Sequence, residues 1–421
     1  MRGRHPMADG KRSSYRWYLL ALAAATHTFV AAIPLSCMPV LFEEISQDLN
    51  LSLVQIGTVW GMVSLAGVFV ALIGGLLGDR FGVRLVLGAA CVVAGVAGAS
   101  RGLSGGFIGL ATTVFAFGLV RAVIPVNVHK TVSMWFQGWN LGAANGVVSM
   151  GMGVGLMLGP MLSATVLSPL LGGWGHVLFL YGAVSAVVGV LWFVWGRGAR
   201  QGHSGAGQSD AVPIGQALLR LIRIKDLWLL GLTLMLRQGC VFGMVGYLPL
   251  YLRERGWAAA SADGALAVFY ATSTAAVIPL SLLSDRLGSR KKVLFAALLA
   301  AVVGVGLLPV VDGIAVWVLM IAAGIFMDGF MAVSLTMVQE TEGVGPRYSG
   351  TALGLAFTMS QAGASASPPV GNSLANIKPA FGFGLWASLS LVALATLAFV
   401  RETGWRRRKA TEDDRGSGRR G

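Results

Sequence analysis

Long apolar stretches follow one another along the whole chain, and they restrict its fold more than any other feature. Only 12% of the 421 residues are charged, and the mean hydropathy is +0.72. A water-soluble fold of this size could not bury so much apolar surface. Twelve stretches have the length of a membrane-spanning helix, at about 17–42, 54–78, 85–103, 106–128, 139–167, 174–196, 227–252, 264–284, 292–311, 313–338, 349–374 and 381–400. The sequence therefore predicts an all-α membrane protein with twelve transmembrane helices.

A short charged turn at 75–87 separates the second and third spans. It holds an aspartate and two arginines at the water boundary and a glycine that permits a sharp bend, namely Asp79, Arg80, Arg84 and Gly82. The same pattern recurs 206 positions later, between spans 8 and 9, as Asp285, Arg286, Arg290 and Gly288. A repeat at half the chain length indicates two similar halves.

A second pair of motifs supports the repeat. Small residues in span 5 recur largely at four-residue spacing, which lets a neighbouring helix approach closely. Their pattern is Gly146, Gly155, Gly159 and Pro160, and it returns 208 positions later as Gly354, Gly363 and Pro368. We expect two pseudo-symmetric six-helix halves, at 17–196 and 226–401, joined by a cytoplasmic linker at 197–225. A cytoplasmic tail at 1–16 precedes them, and a disordered charged tail at 402–421 follows.

The basic residues predict how the spans are oriented. Of the 32 lysines and arginines, 26 fall on one side when both termini are placed there, four on the other side and two inside spans. Because Lys and Arg are enriched in cytoplasmic loops, we expect a multi-pass protein of the cell (plasma) membrane with both termini in the cytoplasm. The net charge of +14 is spread over loops and tails, so nucleic acid is not an expected partner.

The two motifs resemble those of the major facilitator superfamily. The charged turn matches the family's loop between spans 2 and 3 at Gly75, Leu77, Asp79, Arg80, Gly82, Arg84 and Leu87, whereas the usually basic position 83 is Val. The pattern from Gly146 to Pro160 resembles the family's span-5 motif, best known from antiporters. The resemblance implies two halves around a central site, alternating access, and a gating role for the loop residues of both repeats.

Four ionisable side chains lie inside predicted spans: His27, Arg121, Arg237 and Asp328. Each costs ~2.5–3.5 kcal/mol at a helix centre, so each needs a partner or a water-filled path. They fall on spans 1, 4, 7 and 10, which line the central cavity in the family that the chain resembles. Arg121 and Asp328 lie 207 positions apart, at corresponding places in the two halves.

Each of these side chains has a structural and a functional interpretation. Arg237 is the expected contact for an anionic solute because its planar fork suits a carboxylate or phosphate. Arg121 is either a structural pair or a solute contact, and His27 either a hydrogen-bonded helix residue or a contact. Asp328 is either a proton carrier or a permanent counter-ion of an arginine. The secondary candidates for solute binding are Asn127, Asn145, Gln238, Tyr247, Tyr270 and Gln361.

Enzyme chemistry finds no support in the sequence. No phosphate-binding loop of the Gly-x-x-x-x-Gly-Lys-Ser/Thr type is present, and no His or Cys cluster has metal-ligand spacing, so no metal or cofactor is expected. Two intramembrane arginines against one aspartate favour a small organic anion as substrate, with a proton as candidate co-substrate. The alternatives are a drug/proton antiporter exporting amphipathic compounds, or a non-transporting membrane sensor or channel. We expect a monomer that contacts membrane lipid.

Overall fold

The computed structural model describes residues 7–70, 80–136, 139–196 and 219–403. These ranges contain twelve long helices, α1 to α12, in the order of the twelve predicted spans, and no strand. Their bounds are α1, Met7–Thr26 continuing through His27–Ala32, Ile33–Ser36 and Met38–Asp48; α2, Leu53–Val70; α3, Val83–Ser100; α4, Phe107–Trp135; α5, Trp139–Leu162 continuing through Ser163–Leu167 and Ser168–Leu171; α6, Trp174–Trp195; α7, Lys225–Glu254; α8, Ala259–Leu287; α9, Arg290–Gly306; α10, Ile314–Ile325 and Met327–Glu340; α11, Gly345–Ala375; and α12, Pro379–Phe399.

Ten of these described helices are long and apolar enough to cross a membrane. The other two are α9, which has 17 residues, and α11, whose 31 residues are rich in Gly, Ser, Ala and Pro. The prediction of an all-α membrane protein with twelve helices is confirmed.

Contacts divide the chain into two compact units. The first comprises Met1–Leu49 and Leu72–Ser204, and the second comprises Asn50–Ala71 and Gly205–Gly421. Helix α2 therefore packs in the second unit, although its sequence precedes the first copy of the repeated turn. The units are defined by contacts, whereas the predicted halves are defined by the sequence repeat. The boundaries at 17–196 and 226–401 therefore stay a prediction. The predicted linker residues 197–218 and the tail residues 404–421 lie outside the described residues.

In the first unit, glycines of α5 lie directly against α1. A Cβ atom at Gly151 would come within 2.7 Å of the Ala24 carbonyl oxygen, and one at Gly155 within 2.7 Å of the Thr28 carbonyl oxygen. The Thr28 hydroxyl donates a hydrogen bond of 2.7 Å to the Gly151 carbonyl. Since any side chain at these positions would push the helices apart, the glycines set the close approach of α5 to α1.

In the second unit, α2 packs on α11 by the same principle. A Cβ atom at Gly61 would overlap the Ser365 carbonyl, and one at Gly57 would lie 2.7 Å from the Pro368 carbonyl oxygen. The side-chain amide of Asn372 donates to the Leu53 carbonyl at 2.9 Å and closes one end of this contact. The glycine positions explain why α2 belongs to the second unit by contact.

Candidate functional site

The first unit places Arg121 against an irregular turn of α1. Residues His27–Ala32 form a π-helical turn, and such turns leave backbone carbonyls out of the regular ladder. The Arg121 Nε atom donates to the Ala31 carbonyl at 2.8 Å. Pro125, inside α4, has no N–H to donate to the carbonyl of Arg121, so the backbone there is also irregular. Both helices thus expose polar backbone around one guanidinium.

His27 lies beside this arginine and is 3% exposed. Its ring is 5.3 Å from the ring of His129 on α4, at an interplanar angle of 81°. Nδ1 of His129 lies 2.9 Å from the Asn145 side-chain oxygen on α5. Neither ring nitrogen of His27 forms a hydrogen bond of normal geometry with the described residues, although the Val148 backbone is close. Three helices therefore assemble a polar cluster of two histidines, an arginine and an asparagine.

His129 is the member of this cluster that the sequence analysis missed. The signal was present, because positions 121, 125 and 129 are four residues apart and share one helix face. A histidine near the end of a predicted span is easily assigned to the water boundary instead. Asn127, which the sequence favoured, is fully buried and its amide donates to the Val123 carbonyl of its own helix at 2.8 Å.

The second unit buries Arg237 almost completely, with 2% of the residue exposed. Its guanidinium carbon lies 5.2 Å from the centre of the Phe330 ring, a cation–π contact. Among the described residues, its Nε atom has no hydrogen-bond partner, and no acidic side chain forms a direct ion pair with Arg237. The negative charge of Asp328 interacts electrostatically with the Arg237 guanidinium, although the two side chains form no direct ion pair.

Asp328 is held by a serine on a neighbouring helix. Helix α10 is interrupted at Phe326, whose φ and ψ are −95° and −1°, and Asp328 follows in the first turn of Met327–Glu340. The Ser273 hydroxyl donates to Asp328 Oδ2 at 2.6 Å, and the Asp328 N–H donates to the Ser273 oxygen at 3.1 Å. A carboxylate is stabilised at a helix N-terminus by the backbone N–H groups and the helix dipole.

The remaining binding candidates lie in several different environments. The Tyr247 hydroxyl donates to Glu254 at 3.3 Å, and its ring packs with those of Tyr251, Phe383 and Trp386. Gln361 packs against Gly67 of α2. Gln238 is half-buried on α7. The geometry of Tyr247 is that of a packed aromatic cluster.

The two copies of the charged turn differ in their surroundings. In the first unit Asp79 lies outside the described residues, Arg80 is exposed, Gly82 has a φ of 81° and Arg84 donates to the Phe193 carbonyl. The positive φ explains the glycine, because side chains with a Cβ rarely adopt it.

The second copy is tied into a charged network. Arg290 pairs with Asp285 in its own turn and lies 3.4 Å from Glu340 of α10. Glu402, just after α12, accepts hydrogen bonds from the backbone N–H groups of Arg290 at 3.0 Å and Lys291 at 3.2 Å. Burial is the largest single effect on the Arg290 guanidinium and lowers its pKa, but the hydrogen bonds and charges of Asp285 and Glu340 together raise that pKa above its ordinary value. Of the other two predicted residues, Arg286 is exposed and Gly288 has a φ of 63°.

The predicted helix-packing residues fall into different environments. Gly159 packs against Ser36, Gly363 against the Met235 carbonyl, and the Pro368 carbonyl faces Gly57. A Cβ atom at Gly146 would meet no heavy atom within 4 Å among the described residues. Pro160 is buried within α5, and Gly354 is half-buried in α11. The described part of the chain holds no group of three side chains arranged to bind a metal ion.

Comparison with known proteins identifies the class. The sequence profile of the Major Facilitator Superfamily matches residues 20–368 and 256–420, and the chain belongs to this family of membrane transporters. The family match and the relatives point to a non-enzymatic transport protein.

Two curated relatives carry transport functions in their names. The chain is 26% identical over 159 residues to "Hexuronate transporter" of Bacillus subtilis (strain 168), covering 38% of this chain and 37% of that protein. It is 26% identical over 264 residues to "Probable nitrate/nitrite antiporter NarK1" of Thermus thermophilus, covering 60% of this chain and 58% of the relative. The matches thus span less than two thirds of each relative.

Two solved structures share the fold. A bacterial homologue of the human lysosomal transporter Spinster superposes with a TM-score of 0.71 at 17% identity, covering 94% of this chain and 95% of that chain. The nucleoside transporter NupG superposes with a TM-score of 0.73 at 14% identity, covering 91% and 97%. At these identities the likeness concerns the fold alone.

Proposed function

We propose that this protein is a secondary active transporter that moves a small organic anion across the cell membrane by alternating access. The observation that carries the proposal is the buried guanidinium of Arg237, which has no direct ion pair among the described residues. An intramembrane arginine is costly without a partner, and an anionic solute would supply one. Its planar fork matches a carboxylate with two parallel hydrogen bonds.

Two further findings support an anion as the substrate. The first unit carries a separate cationic group, Arg121, with two histidines beside it. The names of the two curated relatives, a hexuronate transporter and a nitrate/nitrite antiporter, both refer to anions. A cationic drug beside Arg237 would meet a like charge, so export of cationic compounds is the weaker proposal.

Binding is tested on the purified protein by thermal unfolding with D-glucuronate, nitrate, nitrite, uridine and the cation ethidium. A ligand at 100 times its Kd stabilises the folded state by ~2.7 kcal/mol. We expect at least one anion to raise the melting temperature and Arg237→Gln to weaken its binding roughly 10–100-fold, because a hydrogen bond to a charged group is worth ~1.5–3 kcal/mol. Arg237→Lys should weaken it less, since the charge remains and only the fork is lost.

Arg220→Gln is the matched control, because Arg220 is exposed in the same unit and loses the same charge. Stabilisation by ethidium or uridine alone would contradict the anion assignment. Equal anion binding by wild type and both Arg237 variants would remove Arg237 as the contact.

We further propose that a proton moves with the anion and that Asp328 carries it. The charges of Arg237 and Asp328 attract each other. An anion bound at Arg237 neutralises the positive charge and so makes protonation of Asp328 easier, and a proton on Asp328 likewise makes anion binding easier. Asp328→Asn should abolish accumulation driven by a pH gradient in proteoliposomes and retain exchange of labelled anion, which needs no net proton movement.

The isosteric control Asp312→Asn lies in the loop before α10 and should leave gradient-driven accumulation intact. Accumulation at the wild-type level in Asp328→Asn would exclude Asp328 as the carrier. Obligatory exchange without any response of the wild type to pH would favour anion antiport over symport.

A further inference from the structure

An apolar groove of about 500 Å³ lies between α1 and α6 on the first unit. Almost all of its wall is hydrocarbon or aromatic carbon. The residues that form most of this wall are Tyr15, Tyr18, Leu19, Leu22, Leu191 and Trp195. The Tyr15 hydroxyl donates to the Trp195 carbonyl and joins the two helices at one end of the groove. No part of the proposed transport mechanism uses this space.

The length of the groove matches one leaflet of a bilayer. On α1 its lining runs from Tyr15 to Ala25, ten residue steps that span ~15 Å at 1.5 Å per residue. The hydrocarbon core of a membrane is ~30 Å thick, so half of it is ~15 Å. The tyrosines and tryptophan at the Tyr15 end belong to the residue types that mark the membrane–water interface. The groove therefore begins at an interface and ends near the bilayer centre.

Positive charge stands at the interfacial end. Arg16 follows Tyr15 on α1; its guanidinium carbon lies 5.6 Å and 5.9 Å from the ring centres of Trp17 and Phe136, and its Nε atom is buried without a hydrogen-bond partner among the described residues. Arg84 donates to the carbonyl of Phe193, two residues before Trp195 on α6, and its side chain is otherwise exposed. None of the residues that line the groove is acidic. Arginine forks bind phosphate oxygens with two hydrogen bonds.

We propose that the groove holds one acyl chain of an anionic phospholipid, with the headgroup phosphate bound by Arg16 and Arg84. The apolar wall takes the chain, the leaflet-length dimension fixes its depth, and the two arginines select the negative headgroup. Ala25, at the deep end, is two residues before His27 and the π-helical turn, so a bound chain supports α1 where the polar cluster begins. The binding itself does not rest on the proposed transport function.

The test measures bound lipid on full-length protein by native mass spectrometry, after titration with phosphatidylglycerol or phosphatidylcholine of identical chains. We expect one phosphatidylglycerol to remain bound to the wild type at least fivefold more tightly than phosphatidylcholine. Ala21→Trp fills the groove from its open side, because Ala21 is an exposed lining residue, and should abolish this retained lipid. Ala296→Trp, at an exposed alanine on α9, is the matched control and should keep it.

Headgroup selection is tested separately with Arg16→Gln and Arg84→Gln. Each should weaken phosphatidylglycerol binding severalfold and phosphatidylcholine binding less, because the choline cation already offsets the phosphate charge of the second lipid, so the preference for phosphatidylglycerol falls. Equal retention of the two lipids by wild type, or equal lipid loss from Ala21→Trp and Ala296→Trp, would overturn the proposal. So would saturation by a fatty acid or detergent with no headgroup preference, since the groove would then be a general apolar surface. Anion binding and transport are not needed for any of these readings.

Discussion

A buried ion pair in the second unit predicts a large and specific stability effect. Arg253 Nη2 lies 2.6 Å and 2.7 Å from the two carboxylate oxygens of Asp263, and the side chains are 8% and 1% exposed. Asp263→Asn keeps the volume and removes the negative charge that both hydrogen bonds bring to the buried Arg253 guanidinium. Breaking a buried pair in this way costs ~3–5 kcal/mol.

The exposed pair of Arg255 and Asp312 supplies the matched control. Its nitrogen–oxygen distance is 3.3 Å and the Asp312 side chain is 60% exposed. Solvent screens such a pair, so it contributes little to stability. Asp312→Asn therefore makes the same chemical change at a much smaller predicted cost.

The assay is thermal unfolding of the purified protein in one detergent, with intrinsic fluorescence as the signal. Asp263→Asn should lower the melting temperature far more than Asp312→Asn. The double variant Arg253→Met, Asp263→Leu should recover most of the loss, because an apolar pair of similar volume has no desolvation cost to offset. The reasoning fails if the two Asn variants melt together, or if the apolar double variant melts below Asp263→Asn.

Two further predictions concern packing and pH. Gly61→Leu should destabilise the protein by ~1–3 kcal/mol, since its Cβ would overlap the Ser365 carbonyl. Gly142→Leu should have little effect, because no described heavy atom lies within 4 Å of a Cβ placed there. Equal melting temperatures for the two variants would refute the packing argument. Hydrogen bonds from the Gly313 N–H and then the Trp257 indole, with Arg255 nearby, hold the pKa of Asp312 below its ordinary value. The hydrogen bond from Trp257 should therefore persist at every pH above the ordinary aspartate pKa of about 3.9 and be lost only as the pH falls below it. The measurement is wild-type fluorescence minus that of Trp257→Phe between pH 7 and 2.5, and a change centred near pH 6 would contradict the assignment.

The helix count was predictable because span length and hydropathy depend on the bilayer rather than on tertiary packing. The placement of α2 in the second unit was not. It depends on whether the surfaces of Gly57 and Gly61 meet carbonyls of α11, and a glycine spacing does not name its partner helix. Hydropathy selects helices, whereas steric complementarity selects neighbours.

The candidate site was predictable in part. Intramembrane charge singled out Arg121, Arg237 and Asp328 because burial of an ionisable group is costly in any arrangement. Ser273, which binds Asp328, was missed because a hydroxyl in an apolar helix has no distinctive pattern. Tyr247 was chosen by chemistry and depth, yet its hydroxyl donates a hydrogen bond to Glu254, about two helical turns further along α7.

The contact of Glu402 with the start of α9 has a practical consequence for constructing fusion proteins. Its carboxylate accepts hydrogen bonds from the backbone N–H groups of Arg290 and Lys291. These N–H groups are among the donors that the first turn of a helix leaves without partners inside the helix. A reporter or affinity tag joined immediately after Phe399 would delete that acceptor and expose the first turn of α9. A tag joined after Thr403 keeps it. Two junctions only four residues apart therefore differ in whether the tagged protein retains the native start of α9.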